Sequence, residues 1–284
     1  MEIRALTTFD ECRQVVALEK EVWGYTDAED VVPAPVLIVG VKRGAILLGA
    51  FDDSAVMKGF VYSIPAIKAG RLTHWSHMLG VTRDARGWGI GRRLKLAQRA
   101  HARAMGLDLI EWTFDPMQAL NAHLNFARLG VVAEEYEENI YGESSSPLHR
   151  GTPTDRLVAE WKVTTPHVER RIASDGVGLM RDASVSSAPV VNPSRGAGER
   201  VLPGSADLGI DSPRLLVEIP VGFSEMQATD APLALEWRLA IRSIFRTYFP
   251  KGYRAVDFFL SKPSGRGHYL LALKEAEAAP AASE

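Results

Sequence analysis

The chain is poor in cysteine, and this excludes two kinds of architecture. Cys12 is the only cysteine among 284 residues, so neither an intramolecular disulfide framework nor a cysteine-based metal site can form. Cys12 lies in a segment whose apolar residues recur at helical spacing, which predicts a small buried side chain rather than a nucleophile. We therefore predict no metal site.

Long apolar runs are also missing. Ala45–Phe51, one of the longest, is far shorter than the roughly 20 apolar residues that a membrane-spanning helix needs. The N-terminal residues Met1–Arg4 do not begin a basic-then-apolar signal pattern. These two absences predict a cytoplasmic protein with no membrane partner.

Charge of one sign is not in excess. The 33 Lys and Arg residues nearly balance the 35 Asp and Glu residues, which gives a net charge of −2. Proteins that bind nucleic acid normally carry a basic face, so nucleic acid is not predicted as a partner. The composition, 46% hydrophobic and 24% charged, is that of an ordinary soluble globular protein.

The first 165 residues contain short apolar strands and amphipathic helices in mixed order, which predicts an α+β fold. The predicted strands are Glu2–Leu6, Ala45–Phe51, Ala55–Pro65, Leu72–Val81, Leu107–Phe114, Val131–Tyr141 and Arg156–Val163. The predicted helices are Asp10–Trp23, 33–44, Gly89–Met105 and Asp115–Gly130, the last with Asp115 as N-cap and a terminal glycine.

Composition changes after Thr165. Residues 182–211 are rich in Ser, Pro, Gly and Ala, so we predict a linker or mobile loop over 166–213. Strand–helix–strand–strand periodicity then predicts a smaller C-terminal α/β piece over 214–274, before a disordered tail over 275–284. Its elements are Leu215–Ile219, Ala231–Tyr248, Ala255–Leu260 and Tyr269–Leu273, and the helix's predicted buried set is Leu235, Leu239, Ile241, Ile244 and Phe245.

The C-terminal piece repeats the order of elements that follows Leu107, which suggests a structural duplication. About 70 residues alone make a thin core. We therefore expect this piece to pack on the N-terminal domain over 1–165, or on a second copy in a homodimer.

The strongest chemical signal is a glycine-punctuated helix start that directly follows a strand. Gly87, Gly89 and Gly91 remove side chains where the backbone must approach a ligand, and amides at a helix start attract anions such as a pyrophosphate. Arg92 stands where a dinucleotide fingerprint would need glycine, and the Gly-Lys-Ser/Thr of a P-loop is absent. Without a ligand, the segment would be an ordinary strand–helix turn.

Arg86-x-x-Gly89-x-Gly91, after a strand that ends in Leu79-Gly80-Val81, resembles the acyl-CoA pyrophosphate loop of the GNAT superfamily. The resemblance implies a mostly antiparallel twisted sheet flanked by helices over residues 1–165. It also implies acetyl-CoA or another acyl-CoA as cofactor, with the pantetheine arm between the strands His74–Val81 and Leu107–Phe114. The implied cofactor-binding residues are Leu79, Val81, Arg86, Gly87, Trp88, Gly89, Ile90, Gly91 and Arg92.

The next helix departs from the pattern of the superfamily, which has an Asn near the helix start and a Tyr four residues before the terminal Gly. Ala119 and Phe126 stand at these positions, so the hydroxyl proposed to protonate the CoA thiolate is missing. Asn121 and Asn125, at i and i+4, are the alternative candidates to bind pantetheine, or else polar residues of the helix surface.

Two residues are candidate bases for deprotonating an acceptor amine. Strict strand alternation places His77 on one face with Trp75, Leu79 and Val81, so Trp75 would wall the acceptor pocket and His74 would point away. Glu111 lies mid-strand among apolar residues, where a carboxylate needs a partner or a raised pKa. The competing interpretation of His77 is a structural core histidine.

The helix after the loop carries two faces. Its cationic face is predicted to be mostly solvated. The apolar face comprises Ile90, Leu94, Ala97, His101 and Ala104, and the cationic face comprises Arg92, Lys95, Arg99 and Arg103.

These features predict transfer of an acetyl or other short acyl group from acyl-CoA to a primary amine of a small molecule. Arg150 and Arg156, in and beside the loop before the last strand of the domain, are candidates to clamp a carboxylate on an amino acid or a succinyl group, or else solvated charges. The alternative is a non-catalytic acyl-CoA-binding or sensor protein. The sequence identifies neither the acceptor nor the acyl chain.

Overall fold

The computed structural model describes residues 1–142, 152–176, 187–196 and 201–274. The predicted tail over 275–284 lies outside these residues. Two compact units divide the described chain, the first comprising 1–112 and 162–165 and the second comprising the rest. The boundary therefore falls within the fifth strand, not at residue 165.

The first unit is built on a sheet with the strand order β1–β2–β3–β4–β5. Every pair is antiparallel except β4–β5, which is parallel, and this confirms the predicted α+β class with a mostly antiparallel sheet. The strands are β1 (Glu2–Ala5), β2 (Ile46–Phe51), β3 (Met57–Lys68), β4 (Arg71–Val81) and β5 (Leu109–Phe114), and the helices are α1 (Phe9–Trp23), α2 (Ala34–Lys42) and α3 (Ile90–Ala104).

Helix α1 shows how local sequence sets these elements. Thr8 and Glu11 form a reciprocal capping box at its start, and Gly24 ends it in the left-handed conformation at φ 66°. Its buried stripe, which includes Cys12 as predicted, packs into a core shared with α2 and the strands β2 and β3.

The second unit is built on the order β7–β6–β9–β10–β8, and these neighbours pair antiparallel. An aromatic cluster around Phe126, Phe245, Phe258 and Tyr269 fills its core. The strands are β6 (Val132–Glu137), β7 (Arg156–Lys162), β8 (Arg214–Pro220), β9 (Tyr253–Ser261) and β10 (Arg266–Leu273). The helices are α4 (Ala119–His123), which continues as a π-helical turn (Leu124–Leu129), α5 (Pro166–Ser174), α6 (Phe223–Thr229) and α7 (Ala231–Tyr248).

Two predictions for helices are wrong in part. Helix α4 begins at Ala119 because Asp115 first caps a turn through the amide of Met117, at 2.9 Å. The bounds of α7 are confirmed, but Leu235 and Leu239 are exposed, because its buried face runs instead through Trp237, Arg238, Ile241, Phe245 and Tyr248.

The predicted linker is partly wrong as well. It contains the helix α5, and its described residues before β8 are bonded to that strand. The Val191 amide donates to the Leu216 carbonyl at 2.8 Å, and the Asn192 side chain exchanges two hydrogen bonds of 2.9 Å with the backbone of Glu218. Backbone pairing of this kind anchors the segment.

Across the described ranges, no helix combines the length and the apolar character that crossing a membrane requires.

Candidate functional site

The glycine loop lies between β4 and α3. Gly87 and Gly89 adopt φ values of +89° and +74°, and a Cβ at either position would meet no atom within 4 Å. Backbone conformation, not space, therefore favours glycine at both positions. Gly89 is the N-cap of α3, so no side chain of the N-cap residue bonds to the first amides of the helix. The first turn also contains no acidic residue.

This helix start is suited to an anion. The first amides of a helix lack intrahelical partners and carry the positive end of the helix dipole. Arg86, Gly87 and Trp88 are exposed beside them, and a Cβ on Gly91 would approach only the Leu79 side chain, at 3.5 Å. Backbone amides and a guanidinium are thus presented to solvent, so the residues present fit a pyrophosphate group.

Strand β4 leads into the loop with one edge unpaired. Its pairing with β5 is limited to His74 with Ile110 and Trp75 with Glu111. In the described chain, residues 76–81 pair with β3 alone, so one side of this segment retains unused backbone donors and acceptors. We call residues 76–81 the free edge of β4. An extended ligand with amide groups could add to it as a further strand does.

A β-bulge interrupts the free edge. Tyr62 pairs with Met78 and Ser63 pairs with Ser76, so His77 is the extra residue. Ser76 and Leu79 consequently both face α3, where Ser76 contacts Lys95 and Leu79 lies beside Gly91. The predicted strict alternation is therefore wrong, and Trp75 lies on the face opposite Leu79.

His77 is exposed at the bulge. Neighbouring protein atoms remove part of its hydration and lower the pKa of its imidazole, although its exposure limits this effect. Its neutral ring can accept a proton near pH 7. The buried histidine is instead His74, whose Nδ1 lies 3.0 Å from the Ser63 hydroxyl and whose pKa burial also lowers.

Glu111 is buried on β5 and has the partner that its position requires. The Lys68 ammonium lies 2.5 Å from its Oε1. An incoming ammonium would have to compete with Lys68 for this carboxylate.

Glu19 on α1 is a buried carboxyl that was not among the residues predicted from the sequence. Its side chain is fully buried, its Oε2 accepts the Val32 amide at 2.8 Å, and its Oε1 has no partner among the described residues. Burial raises the pKa of this carboxyl to about 7, against the lowering effect of the Val32 amide. Its position four residues after Val15 and seven after Cys12, on the buried stripe, is the signal that could have revealed it.

The predicted solvated cationic face of α3 is wrong at two positions. Lys95 and Arg99 are 4% and 8% exposed, and Arg99 Nε donates to the Val163 carbonyl at 2.8 Å. The buried stripe of the helix runs through Leu94, Gln98 and Ala102, and both cations flank it.

The second unit contains the remaining candidates of the α4 region. Asn121 is exposed, whereas Asn125 is buried and its Nδ2 has no partner among the described residues. The two therefore do not share one environment, because the helix changes from α to π geometry between them. Phe126 is fully buried and packs edge-to-face on Phe114 and Tyr269, at centroid distances of 5.9 and 5.6 Å.

Arg156, also in the second unit, is half-buried. Its Nη1 donates to the Asp155 carbonyl at 2.9 Å, and its guanidinium lies 5.3 Å from the Tyr141 ring. Burial lowers its pKa. Arg150 lies outside the described residues. The structure thus brings Trp75, His77, Glu111, the free edge and the loop Arg86–Arg92 into the first unit, and the second unit holds Asn121, Asn125 and Arg156.

No protein-family model and no curated protein sequence matches the chain. Among solved structures, an acetyltransferase of the GNAT family from Streptococcus pneumoniae is 19% identical with a TM-score of 0.46, over 56% of this chain and 97% of that chain. The PaiA N-acetyltransferase from Thermoplasma acidophilum, in complex with coenzyme A, is 16% identical with a TM-score of 0.41, over 57% and 98%.

An aminoglycoside 6'-acetyltransferase type Ii is 18% identical with a TM-score of 0.43, over 58% of this chain and 99% of that chain. All three likenesses fall within the N-terminal part of the architecture described above. At these identities and TM-scores, the likenesses establish neither an activity nor a substrate for this chain.

Proposed function

We propose that the protein is an acyl-CoA-dependent N-acyltransferase that acts on a primary amine of a small molecule. The observation that carries this proposal is the continuity of the free edge of β4 with the uncapped glycine start of α3. A ligand with a diphosphate at one end and an extended amide-containing arm matches both parts. Acetyl-CoA and other acyl-CoA thioesters have this chemistry.

The loop would hold the diphosphate. The amides of Gly89, Ile90 and Gly91 donate to phosphate oxygens, and the Arg86 and Arg92 guanidinium groups add charge. Backbone groups of the free edge, including those of Leu79 and Val81, pair with the arm, and an N–H of this edge polarises the thioester carbonyl.

The acceptor amine must lose a proton before it can attack the thioester. His77 is the first candidate base, because it lies exposed at the bulge and the partial desolvation of its ring by neighbouring atoms lowers its pKa, which favours the neutral form. Glu111 is the second candidate, and Lys68 holds its carboxylate. General base catalysis is worth roughly 10²–10⁴ in rate. Trp75, Asn121, Asn125, Arg150 and Arg156 stay predictions from the sequence.

A non-catalytic acyl-CoA-binding or sensor protein is the second candidate function. The observation that favours it is the buried aromatic packing of Phe126, which puts no hydroxyl at the position where the superfamily has its acid. Turnover of any amine separates the two functions.

The test is a thiol-release assay with acetyl-CoA or succinyl-CoA and a panel of primary amines, including amino acids. We expect amine-dependent thiol release by the wild type, and at least a tenfold smaller kcat/KM in His77→Gln, which keeps a polar side chain but has no basic nitrogen. Binding of acyl-CoA without turnover of any amine would favour the sensor instead.

A further inference from the structure

Lys95 on helix α3 has its ammonium group buried at the point where the pairing of β4 with β5 ends. The last paired residues are Trp75 on β4 and Glu111 on β5, so Ser76 and Trp112 are the first residues beyond the pairing. Lys95 contacts both of them. Its Nζ lies 2.8 Å from the Ser76 Oγ and 3.5 Å from the centroid of the Trp112 ring.

Few groups compensate the charge of this ammonium. Lys95 is 4% exposed, and no carboxylate in the described part of the chain lies within ion-pair distance of it. The ammonium carries three N–H bonds. One points to the Ser76 hydroxyl and the ring of Trp112 takes the positive charge on its face, so at least one N–H lacks an acceptor among the described residues.

Side chains of α3 hold the Ser76 hydroxyl in place and thereby hold the bulge next to it. Gln98 Nε2 donates to the Ser76 Oγ at 3.0 Å from the next turn of α3. The titratable groups on the elements around this cluster include His74 on β4, which is bonded to Ser63, and Arg99 on α3, which is bonded to Val163. His77 follows Ser76 on β4, and Glu111, which is paired with Lys68, precedes Trp112 on β5. Burial alone lowers the pKa of Lys95 well below its ordinary value, so its ammonium gives up a proton more readily than a solvated lysine does.

The free edge connects this cluster to the loop. Residues 76–81 span roughly 17 Å at about 3.3–3.4 Å per residue, from the Lys95 cluster to the start of the glycine loop. The path from the diphosphate site along this edge therefore ends beside the Lys95 ammonium, where the sulfur-bearing end of a thioester arm of matching length would lie.

We propose that Lys95 is the catalytic acid that protonates the departing thiolate, an assignment that rests on the proposed acyltransferase function. The amine nitrogen forms a bond to the thioester carbonyl carbon, the C–S bond breaks, and its electron pair goes to sulfur. Nζ gives its proton to that sulfur, which leaves as a thiol. The acceptor ammonium loses two protons as it becomes an amide. One of them replaces the proton that Lys95 gave to the sulfur, and the other is released.

The test compares Lys95→Met with Arg99→Met. Both changes remove a buried cation from α3 and leave an unbranched apolar chain of similar length, but Arg99 donates to the Val163 carbonyl, whereas Lys95 contacts Ser76 and Trp112. Calorimetric titration with acetyl-CoA first shows that each variant is folded and binds. We expect Lys95→Met to keep its Kd within about threefold and to lose about 10²-fold or more in kcat, the typical scale for an acid–base group.

Varying the leaving thiol distinguishes an acid from a structural residue, because the effect of losing a structural residue would not depend on the acidity of the thiol. A donor whose leaving thiol is more acidic departs without protonation, so the loss of kcat in Lys95→Met should shrink with such a donor. The wild type should also lose kcat as pH rises through the lowered pKa of Lys95, and the variant should lack this alkaline limb.

Four results would overturn the inference. A kcat of Lys95→Met within threefold of the wild type would do so alone, with the proposed function intact. An equal loss in Arg99→Met, or a loss that does not depend on the leaving thiol, would assign Lys95 a packing role. Absence of any acyl-CoA binding and turnover by the wild type would overturn the proposed function as well.

Discussion

Three residues with ionisable side chains are buried on helices of this fold. Glu19, Lys95 and Arg238 are 0%, 4% and 1% exposed, and each lies on the buried stripe of an amphipathic helix or at its edge. The spacing of apolar residues along a helix locates this stripe, but charged residues are normally expected to face water. Their partners (the Val32 amide, the Ser76 hydroxyl and the Asp115 carboxylate) are distant in sequence, so only the folded chain identifies them.

Glu19 makes the stability of the fold depend on pH. Its folded pKa of about 7 lies above the ordinary 4.5. A carboxyl whose pKa is raised by folding stabilises the fold below its unfolded pKa, and this contribution is lost as pH rises through about 7. Glu19→Gln stays neutral, so at pH 8 we expect it to be more stable than the wild type by up to about 3 kcal/mol, at about 1.4 kcal/mol per pKa unit.

Urea unfolding at pH 5 and pH 8 measures this difference, with Glu21→Gln on the exposed face of the same helix as the matched control. The control should unfold like the wild type at both pH values. An advantage of Glu19→Gln that is the same at both pH values would contradict the assigned pKa.

Helix α7 carries three arginines at i, i+4 and i+8 that bind carboxylates of the second unit. Arg238 makes a bidentate pair with Asp115 at 2.5 and 2.9 Å, Arg242 another with Asp155 at 2.8 and 2.6 Å, and Arg246 lies 2.9 Å from Glu138. Burial would raise the pKa of Asp115, but Arg238, together with Arg156 and the Met117 amide, holds it below its ordinary value. Exposure increases along the series, from 2% for the Arg238 side chain to 64% for that of Arg246.

The cost of losing these arginines should follow their burial. Arg238→Met strands the Asp115 carboxylate in the core, so we expect a loss of about 3–5 kcal/mol in the free energy of unfolding. Arg246→Met removes an exposed pair and should cost about 0–1 kcal/mol. Guanidinium unfolding measures both.

A double variant, Arg238→Met with Asp115→Asn, checks the cause of that loss. It should recover much of the lost stability, because it removes the uncompensated charge. A double variant that is no more stable than Arg238→Met would mean that the loss comes from packing.

Apolar periodicity and turn residues predict several helices and strands of the fold. The strand–loop–helix unit around Gly87, Gly89 and Gly91 and the bounds of α7 were predicted, because glycine conformation and apolar periodicity are local properties. The bulge at His77 was not, because it is defined by pairing with Tyr62 and Ser63 on another strand. That single extra residue reassigned the faces of Trp75, Ser76 and Leu79.

At the scale of the whole molecule, the α+β class was predictable but the division of the chain was not. The change of composition at Thr165 indicated a boundary there, whereas residues 113–142 share a compact unit with 201–274. Contacts far apart in sequence join them, among them β6 with β9 and Phe126 with Tyr269. The repeated strand–helix–strand–strand order is present in the structure. Strand β5 is followed by α4, β6 and β7, and strand β8 is followed by α6, α7, β9 and β10.

If the glycine start of α3 binds the diphosphate of acyl-CoA, a calorimetric titration with acetyl-CoA should detect the binding. Gly91 suits the comparison because a Cβ there would lie 3.5 Å from Leu79, an ordinary contact, so both Gly91→Ala and Gly91→Glu should fold. Glutamate in a first helical turn even stabilises the helix, but it would repel a phosphate.

We predict that the wild type binds, that Gly91→Ala binds within several-fold of it, and that Gly91→Glu binds at least about 100-fold more weakly, because it loses charge-assisted hydrogen bonds worth about 1.5–3 kcal/mol each. Equal affinity of Gly91→Glu, or no binding of acetyl-CoA, succinyl-CoA or free CoA by the wild type, would mean that the glycine start of α3 does not hold this diphosphate.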